Sequence, residues 1–269
     1  MVISDSVSLL CSLYKNEKIE NLQRFLTAVS NQKVFPSKTI VVFDGEIPKK
    51  MDNLVENFKN KIPNLVVLRK NWSGLPDSLN QGSKLVESAW FARCDTDDIP
   101  KADFIDFFSR EVNKISTNTA IVAASVTKIY SDYNKKKIIN KDKYIDKKNL
   151  QIRFKNLIFH PAVCINAEIF LKSGMYPRGR MEDFRLWTYM LALGYKIKLS
   201  DHEVASLSCQ DISSRRIGTD YIKAELDFFY MKAKNKPILF FFDLLILFIR
   251  LTMRLPFVNR FVVFIRKNS

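Results

Sequence analysis

The sequence predicts an α/β fold, a Rossmann-like, mostly parallel sheet flanked by helices, and three observations carry that expectation. Short apolar runs alternate with amphipathic helical segments through the first 125 residues, the pattern of right-handed β-α-β units. Two of the runs end in acids: Asp44 after Thr39–Phe43, and Asp95-Thr96-Asp97-Asp98 after Trp90–Arg93. Ligands bind in open α/β sheets where such strands end. With 269 residues, 47% of them hydrophobic, the chain is long and apolar enough for one large domain with an appendage.

Val7–Leu13 reads as the first strand and Tyr14-Lys15-Asn16-Glu17 as the loop after it. Ile19, Leu22, Phe25, Leu26 and Val29 give the next helix one apolar face, and Met51, Leu54, Val55 and Phe58 do the same for the helix after Asp44-Gly45. Leu65–Leu68 is a third strand. Pro76 suits the first turn of a helix running to about Glu87. The acidic strand follows, then a helix with Phe104, Ile105, Phe107, Phe108 and Val112, then a strand over Ala120–Ser125. Tyr130 to Lys148, rich in Lys, Asn, Asp and Tyr, reads as an exposed hairpin or loop. His160–Ile165 resumes the apolar pattern, Ala167–Ser173 reads as a helix stopped by Gly174, and Phe184–Leu193 as a helix closed by Gly194.

Two acidic groups carry candidate chemistry. Carboxylates as close as Asp95, Asp97 and Asp98 repel one another and are stable together when a hard divalent cation and substrate phosphates neutralise them. An alternative is that Asp98, Ile99 and Pro100 simply cap the following helix. Arg178-Gly179-Arg180-Met181-Glu182-Asp183 forms the second group, with both acids at a helix N-terminus where the macrodipole favours ionisation. They are either caps or a general base. His160 and His202 lie far from any second ligand at metal spacing and read as structural, with His160 before Pro161 keeping an acceptor-side role open.

Several classes are set aside. Four scattered cysteines without a CxxC pair argue against a disulfide scaffold or zinc site. With 7 glycines, the chain holds neither GxGxxG nor GxxxxGK[ST], which excludes a nicotinamide dehydrogenase and a P-loop NTPase. The net charge of +15 fits nucleic acid, an anionic membrane surface or a nucleotide donor. Residues 232–269 carry eight basic residues against one acid, beside the most apolar part of the chain, which points to lipid rather than nucleic acid. The first thirty residues show no secretory pattern, so a cytosolic location is expected.

With those residues in view, the sequence resembles glycosyltransferase family 2 along roughly residues 6 to 220. Val7 to Glu17 is similar to the family's first strand and its Tyr-Asn-x-Glu turn, departing by the inserted Lys15. Ile40–Gly45 resembles the second strand with its nucleotide-contacting acid, reduced here to the single Asp44. Asn71, Gly74, Asn80 and Gly82 match the Asn/Gly loop and helix, Asp95-Thr96-Asp97-Asp98 the Asp-x-Asp metal motif, Glu182-Asp183 the Glu-Asp motif, and Gln210–Gly218 a late Arg-containing loop.

The resemblance implies a GT-A fold and an inverting glycosyltransferase, moving a sugar from a nucleotide-diphosphate donor, a UDP-sugar foremost, to a hydroxyl. Mn2+ or Mg2+ on Asp97 with help from Asp95 would neutralise the leaving diphosphate. Donor contacts are expected from Tyr14, Asp44, Asn80, Asp95, Arg215 and Arg216, and the general base is Asp183, with Glu182 its rival and His160 an acceptor-side candidate. The runner-up readings are a basic nucleic-acid-binding module and a nucleotidyltransferase, although no nucleic-acid partner is indicated. Residues 1–125 are expected to hold the donor, 126–220 the acceptor and catalytic base, and 221–269 a helical tail.

Pro237–Ile249 is shorter than the ~20 apolar residues of a spanning helix. Extending it brings in Arg250 and Arg254, each costing roughly 2.5–3.5 kcal/mol near the bilayer centre. The expectation is a monotopic helix with a polar stripe of Lys236, Asp243, Arg250 and Arg254, holding the enzyme at the cytoplasmic face of the plasma membrane beside a lipid-linked glycan acceptor. The competing use of that helix is packing on the domain or on a second copy of the chain.

Overall fold

The computed structural model describes residues 2–4, 6–130, 134–148 and 158–209, together with single helical positions between 222 and 252. Its elements run β1 (Val7–Tyr14), α1 (Ile19–Ser30), β2 (Thr39–Asp44), α2 (Lys49–Phe58), β3 (Leu65–Lys70), α3 (Leu75–Ser83), β4 (Trp90–Arg93), β5 (Ile99–Pro100) and α4 (Phe104–Val112). The second half adds β6 (Thr119–Tyr130), β7 (Lys135–Ile138), β8 (Lys143–Ile145), a 3-10 turn at His160–Ala162, β9 (Val163–Asn166), α5 (Ala167–Lys172), α6 (Glu182–Ala192) and β10 (Lys196–Cys209).

These strands form one sheet in the order β3-β2-β1-β4-β9-β6-β10-β5, with β7 on β6 and β8 on β10. The first four strands are parallel to one another. β9 then runs antiparallel to both β4 and β6, while β10 lies parallel to β6. The expected α/β sheet is present, and its parallel character belongs to the N-terminal half; reversal at β9 makes the whole sheet mixed.

Both faces of the sheet are covered, which explains why its strands read as unbroken apolar runs. Leu9, Cys11 and Leu13 of β1 and Val41 and Phe43 of β2 pack with α1, α2 and α4 on one face. Leu10, Ile40 and Val42 pack with α3, α5 and α6 on the other. The apolar stripe of α1 is the expected one, with Leu22, Phe25, Leu26 and Val29 fully buried. Each such side chain contributes about 1.5–3 kcal/mol of transfer free energy.

The Lys-rich segment after Tyr130 forms the expected exposed hairpin, with β7 antiparallel to β6, and adds β8 as an edge partner of β10. Two elements differ from expectation. α3 stops at Ser83 rather than near Glu87. β10 itself, 14 residues long, was not expected, because the polar run Ser200-Asp201-His202-Glu203 breaks its apolar alternation. The break coincides with register shifts against β6 between Leu199 and Ala205.

Most of the C-terminal tail, including the polar stripe of Lys236, Asp243, Arg250 and Arg254, lies outside the described residues. Ile222, Leu226, Phe229, Tyr230, Leu244, Phe248 and Thr252 are helical, and Leu226, Tyr230, Leu244 and Phe248 are exposed. Among the described residues no helix is long and apolar enough to cross a membrane.

Gly82 sets how closely α3 approaches the sheet. A Cβ there would lie 2.6 Å from both Leu10 Cδ1 and Val42 Cγ2, and both side chains are fully buried with no room to retreat. Gly82→Ala is therefore expected to lower the free energy of unfolding by about 1–3 kcal/mol through overpacking, read as a drop in the urea midpoint with an unchanged slope.

Candidate functional site

From β1 the chain steps outward through β2 to β3, whereas β4 sits on the other flank of β1 and leads toward β9, β6 and β10. That reversal opens a crevice at the carboxyl ends of β1 and β4. Register places Tyr14 beside Asp44 at the ends of β1 and β2, and Leu10 beside Arg93 at the end of β4. Tyr14, Asp44 and the acids that follow Arg93 thus share one edge of the sheet.

Asp44 is buried, and both of its oxygens are occupied. Oδ1 accepts from Lys70 Nζ and from the Ser73 amide, each at 2.9 Å, and Oδ2 accepts from the Gly74 amide at 2.9 Å. Burial pulls its pKa upward, but the Lys70 ammonium and the Ser73 amide outweigh burial and hold the carboxyl below the usual range. The contacts shape the 71–74 loop, which enters α3 at Gly74 with φ +94°, a conformation that favours glycine. Asp44 stands where a nucleotide contact was expected, and it does so as the keystone of that loop.

The acidic loop follows β4. One carboxylate oxygen from each of Asp95, Asp97 and Asp98 lies within 4.8 Å of the others. Their surroundings differ sharply. Asp95 pairs with Nη2 of Arg93, whose guanidinium is fully buried and also donates Nη1 to the Cys94 carbonyl. Asp98 is buried, and its Oδ1 accepts the Ser208 amide of β10 at 2.7 Å. The helix-capping reading of Asp98 is overturned by this contact: Ile99–Pro100 forms β5 against β10, and α4 begins only at Phe104. Asp97, partly exposed between them, is pushed up to about 6, first by burial and then by the charges of Asp95 and Glu17. Burial, then the charges of Asp95 and Asp97, drive Asp98 well above the usual carboxylate range.

Three hard oxygen donors this close, two of them carrying an unmet electrostatic cost, fit a divalent cation. Asp97 is the best placed of the three, because Arg93 already engages Asp95 and Ser208 already engages Asp98.

Glu182 and Asp183 open α6 behind Met181, whose left-handed backbone (φ +59°) turns the chain into the helix. Asp183 Oδ1 accepts the Phe184 amide at 2.7 Å. Glu182 is pushed up to about 7 by burial, then by the charges of Asp183 and Asp95, with Arg93 pulling the other way. The second acidic group is therefore close enough to the first for the charge of Asp95 to act on Glu182. His160 is buried with Nε2 2.8 Å from the Tyr176 hydroxyl. Burial and the Arg93 charge push it down to about 4, so the ring is neutral at physiological pH. His202 is structural, stacked on Phe107 at 4.5 Å and bonded to Asp103 at 2.9 Å.

The side-chain amide of Asn80, expected at the donor, bonds both the amide and the carbonyl of Tyr176. Arg215 and Arg216, expected to grip the phosphates, lie outside the described residues. Sequence reasoning missed two contributors. Glu17 Oε2 accepts from Thr96 Oγ1 at 3.0 Å and so ties the loop after β1 to the acidic loop; its position after a strand adjacent to β4 was the available signal. Arg93 passed as one letter of an apolar run, although a charge inside such a run is itself a sign of a buried partner.

Comparison with known proteins agrees with this geometry. The profile described as Glycosyl transferase family 2 matches residues 11–170. Amylovoran biosynthesis glycosyltransferase AmsE of Erwinia amylovora is 27% identical over 251 residues, 92% of this chain and 93% of that relative. An uncharacterized glycosyltransferase of Haemophilus influenzae is 27% identical over 230 residues, 84% of each chain. S. aureus TarS 1-349 in complex with UDP superposes with a TM-score of 0.67 at 15% identity, covering 85% of this chain and 65% of that one. Its complex with UDP-GlcNAc gives 0.61 at 15% identity, over 86% and 65%. The chain thus spans slightly less than two thirds of TarS 1-349, a likeness that shows the GT-A fold. With a matching profile over more than half its length and the expected acids gathered at one sheet edge, the chain belongs to glycosyltransferase family 2.

Proposed function

We propose that this glycosyltransferase is an inverting, metal-dependent enzyme that transfers a sugar from a UDP-sugar to a hydroxyl of a lipid-linked glycan in bacterial surface-polysaccharide synthesis. The carrying observation is the trio Asp95, Asp97 and Asp98 at the carboxyl end of β4, near enough to Glu182 for the charge of Asp95 to act on it. The UDP complexes of TarS support the donor class, and the role of AmsE in amylovoran biosynthesis supports polysaccharide synthesis. Nothing in the site favours nucleic-acid binding or nucleotidyl transfer over this reading.

Asp97, with Asp95, would hold Mn2+ or Mg2+; the ion supplies the positive charge that a departing diphosphate requires. Tyr14 and the loop braced by Asp44 flank the place for the nucleoside, with Arg215 and Arg216 assigned to the phosphates. Asp183 takes the proton of the acceptor hydroxyl as its oxygen attacks the anomeric carbon opposite the leaving group. Glu182, pushed up to about 7 by burial and then by the charges of Asp183 and Asp95, is the rival for that role; Asp183 is preferred because it matches the second letter of the family's Glu-Asp motif. Residues 1–125 serve the donor, 126–220 the acceptor and the base, and 221–269 the membrane.

Asp183→Asn is expected to reduce transfer at least a hundredfold while UDP affinity in Mn2+, measured by calorimetry, stays within about twofold. Full turnover in that variant would remove Asp183 as the base.

The raised carboxyls make a second prediction. Glu182 near 7 and Asp97 near 6 exceed their unfolded values of about 4.3 and 3.9, so the folded protein binds extra protons in the window between. Their contribution favours folding below about pH 4 and is lost as pH rises through 6 to 7. Without metal, Glu182→Gln should flatten the decline in stability between pH 5 and 7.5 seen by urea unfolding. Mn2+ together with UDP should raise the melting temperature of the wild type at pH 7.5.

The tail reading makes a third. Each basic residue near an anionic surface adds roughly 1 kcal/mol, so the full chain is expected to co-sediment with anionic liposomes at low salt and to be released by high salt. A full-length chain that stays in the supernatant at low salt would assign the tail to the domain or to a second copy.

A further inference from the structure

We propose that Asn80 is a positioning residue that ties the donor half of the enzyme to the loop carrying the catalytic base. The inference rests on the assignment of the base to Glu182-Asp183, and it departs from the expectation that Asn80 touches the donor.

The geometry is a closed pair of hydrogen bonds between segments 96 positions apart. Asn80 Nδ2 donates to the Tyr176 carbonyl at 2.8 Å, and the Tyr176 amide donates to Asn80 Oδ1 at 2.9 Å. A backbone N–H needs an acceptor and a backbone C=O needs a donor, so only a side-chain amide of this reach answers both at once. Aspartate supplies acceptors alone, and alanine supplies neither.

Tyr176 needs such a hold. It follows two residues with left-handed backbones, Gly174 (φ +81°) and Met175 (φ +64°), and precedes a stretch with two more, Gly179 (φ +96°) and Met181 (φ +59°). No helix or strand spans 173–181, and the backbone bonds of Ser173, Gly174 and Met175 back to α5 stop short of Tyr176. The loop from the clamp to Glu182 is only five residues long, so a displacement at Tyr176 passes to the N-terminus of α6. The side chain of Tyr176 is anchored as well: its hydroxyl lies 2.8 Å from His160 Nε2, and its ring packs edge-on against Phe170 and Trp187. At the other end of the clamp, α3 grows out of the 71–74 loop that Asp44 holds. A continuous path therefore runs from Asp44 through α3 and Asn80 to Tyr176 and on to Glu182 and Asp183.

Base and donor must meet within a few tenths of an ångström, and a misplacement of about 1 Å costs on the order of a hundredfold in rate. The clamp serves that registration without touching substrate.

The test compares wild type, Asn80→Ala and Asn80→Asp, the second keeping the acceptor for the Tyr176 amide in case alanine unfolds the protein. Three readouts are taken: UDP affinity in Mn2+ by calorimetry, amide hydrogen exchange over residues 174–184, and turnover of UDP-GlcNAc or whichever UDP-sugar the wild type consumes. The expected result is UDP affinity within about twofold of wild type, exchange at 176–183 faster by at least tenfold, and turnover lower by roughly 10–100-fold. UDP affinity weakened tenfold with exchange at wild-type values would make Asn80 a donor contact and overturn the proposal. Wild-type exchange and turnover in both variants would overturn it equally. Should wild type fail to bind UDP, the donor reading falls, and the exchange measurement still decides whether Asn80 holds the loop.

Discussion

Like-charge crowding at the end of β4 is the constraint around which the site is arranged. Asp95, Asp97 and Asp98 lie within one metal-sized space, and the field of Asp95 reaches Glu182 on the opposite wall. At short range in a poorly solvated crevice, such repulsion costs kilocalories rather than tenths. Within the described residues one buried cation answers it: the guanidinium of Arg93, entirely enclosed by the sheet and paired with Asp95. Burying Arg93 is itself costly and is sustained by the short-range partners it finds in Asp95 and the Cys94 carbonyl. Burial first, and the repulsion left over second, raise the proton affinities of Asp97, Asp98 and Glu182. A site in that condition is poised for a further positive charge.

Much of this was legible in the sequence, because the features concerned are set by residue type and spacing. The runs Val7–Leu13, Thr39–Phe43 and Trp90–Arg93 had to be strands with both faces covered, and their acids had to fall at the carboxyl edge. The sheet's second half was less legible. β10 hides its pairing behind Ser200 to Glu203, where the register against β6 slips, and β5 is two residues long and exists only because β10 passes beside it. Asp98 was ambiguous for the same reason: its partner, the Ser208 amide, sits 110 positions away on a strand the pattern did not announce. Spacing also does not show which lone pairs a side chain spends. Asp44 and Asn80 both occupy the expected places, yet one is engaged by its own loop and the other by Tyr176.

The two walls of the crevice are held by different means. On the donor wall, Asp44 gathers Lys70, Ser73 and Gly74 around an ionised carboxylate, and Glu17 gathers Lys18, Asn21 and Thr96. Such charge-assisted bonds are roughly twice as strong as neutral ones, and they stiffen loops that lack regular structure. On the base wall, the strut of Asn80, Tyr176 and His160 is neutral throughout.

Neutrality in that strut follows from where it lies. Tyr176 and His160 are buried close enough for the charges of Arg93, Asp95 and Asp183 to act on both. A cationic imidazole there would compete with Arg93 for Asp95 and add a titration to an already strained cluster. A carboxylate in place of Asn80 would repel Glu182 and Asp183 and leave the Tyr176 carbonyl without a donor. Burial, aided by Arg93, holds His160 uncharged down to about pH 4, and the Tyr176 phenol is driven well above its ordinary value. Neither group changes charge over the range in which the acids of the crevice titrate. The base wall can therefore keep one geometry while the protonation of Asp97 and Glu182 changes in front of it, which separates the mechanical task of the strut from the electrostatic task of the carboxylates.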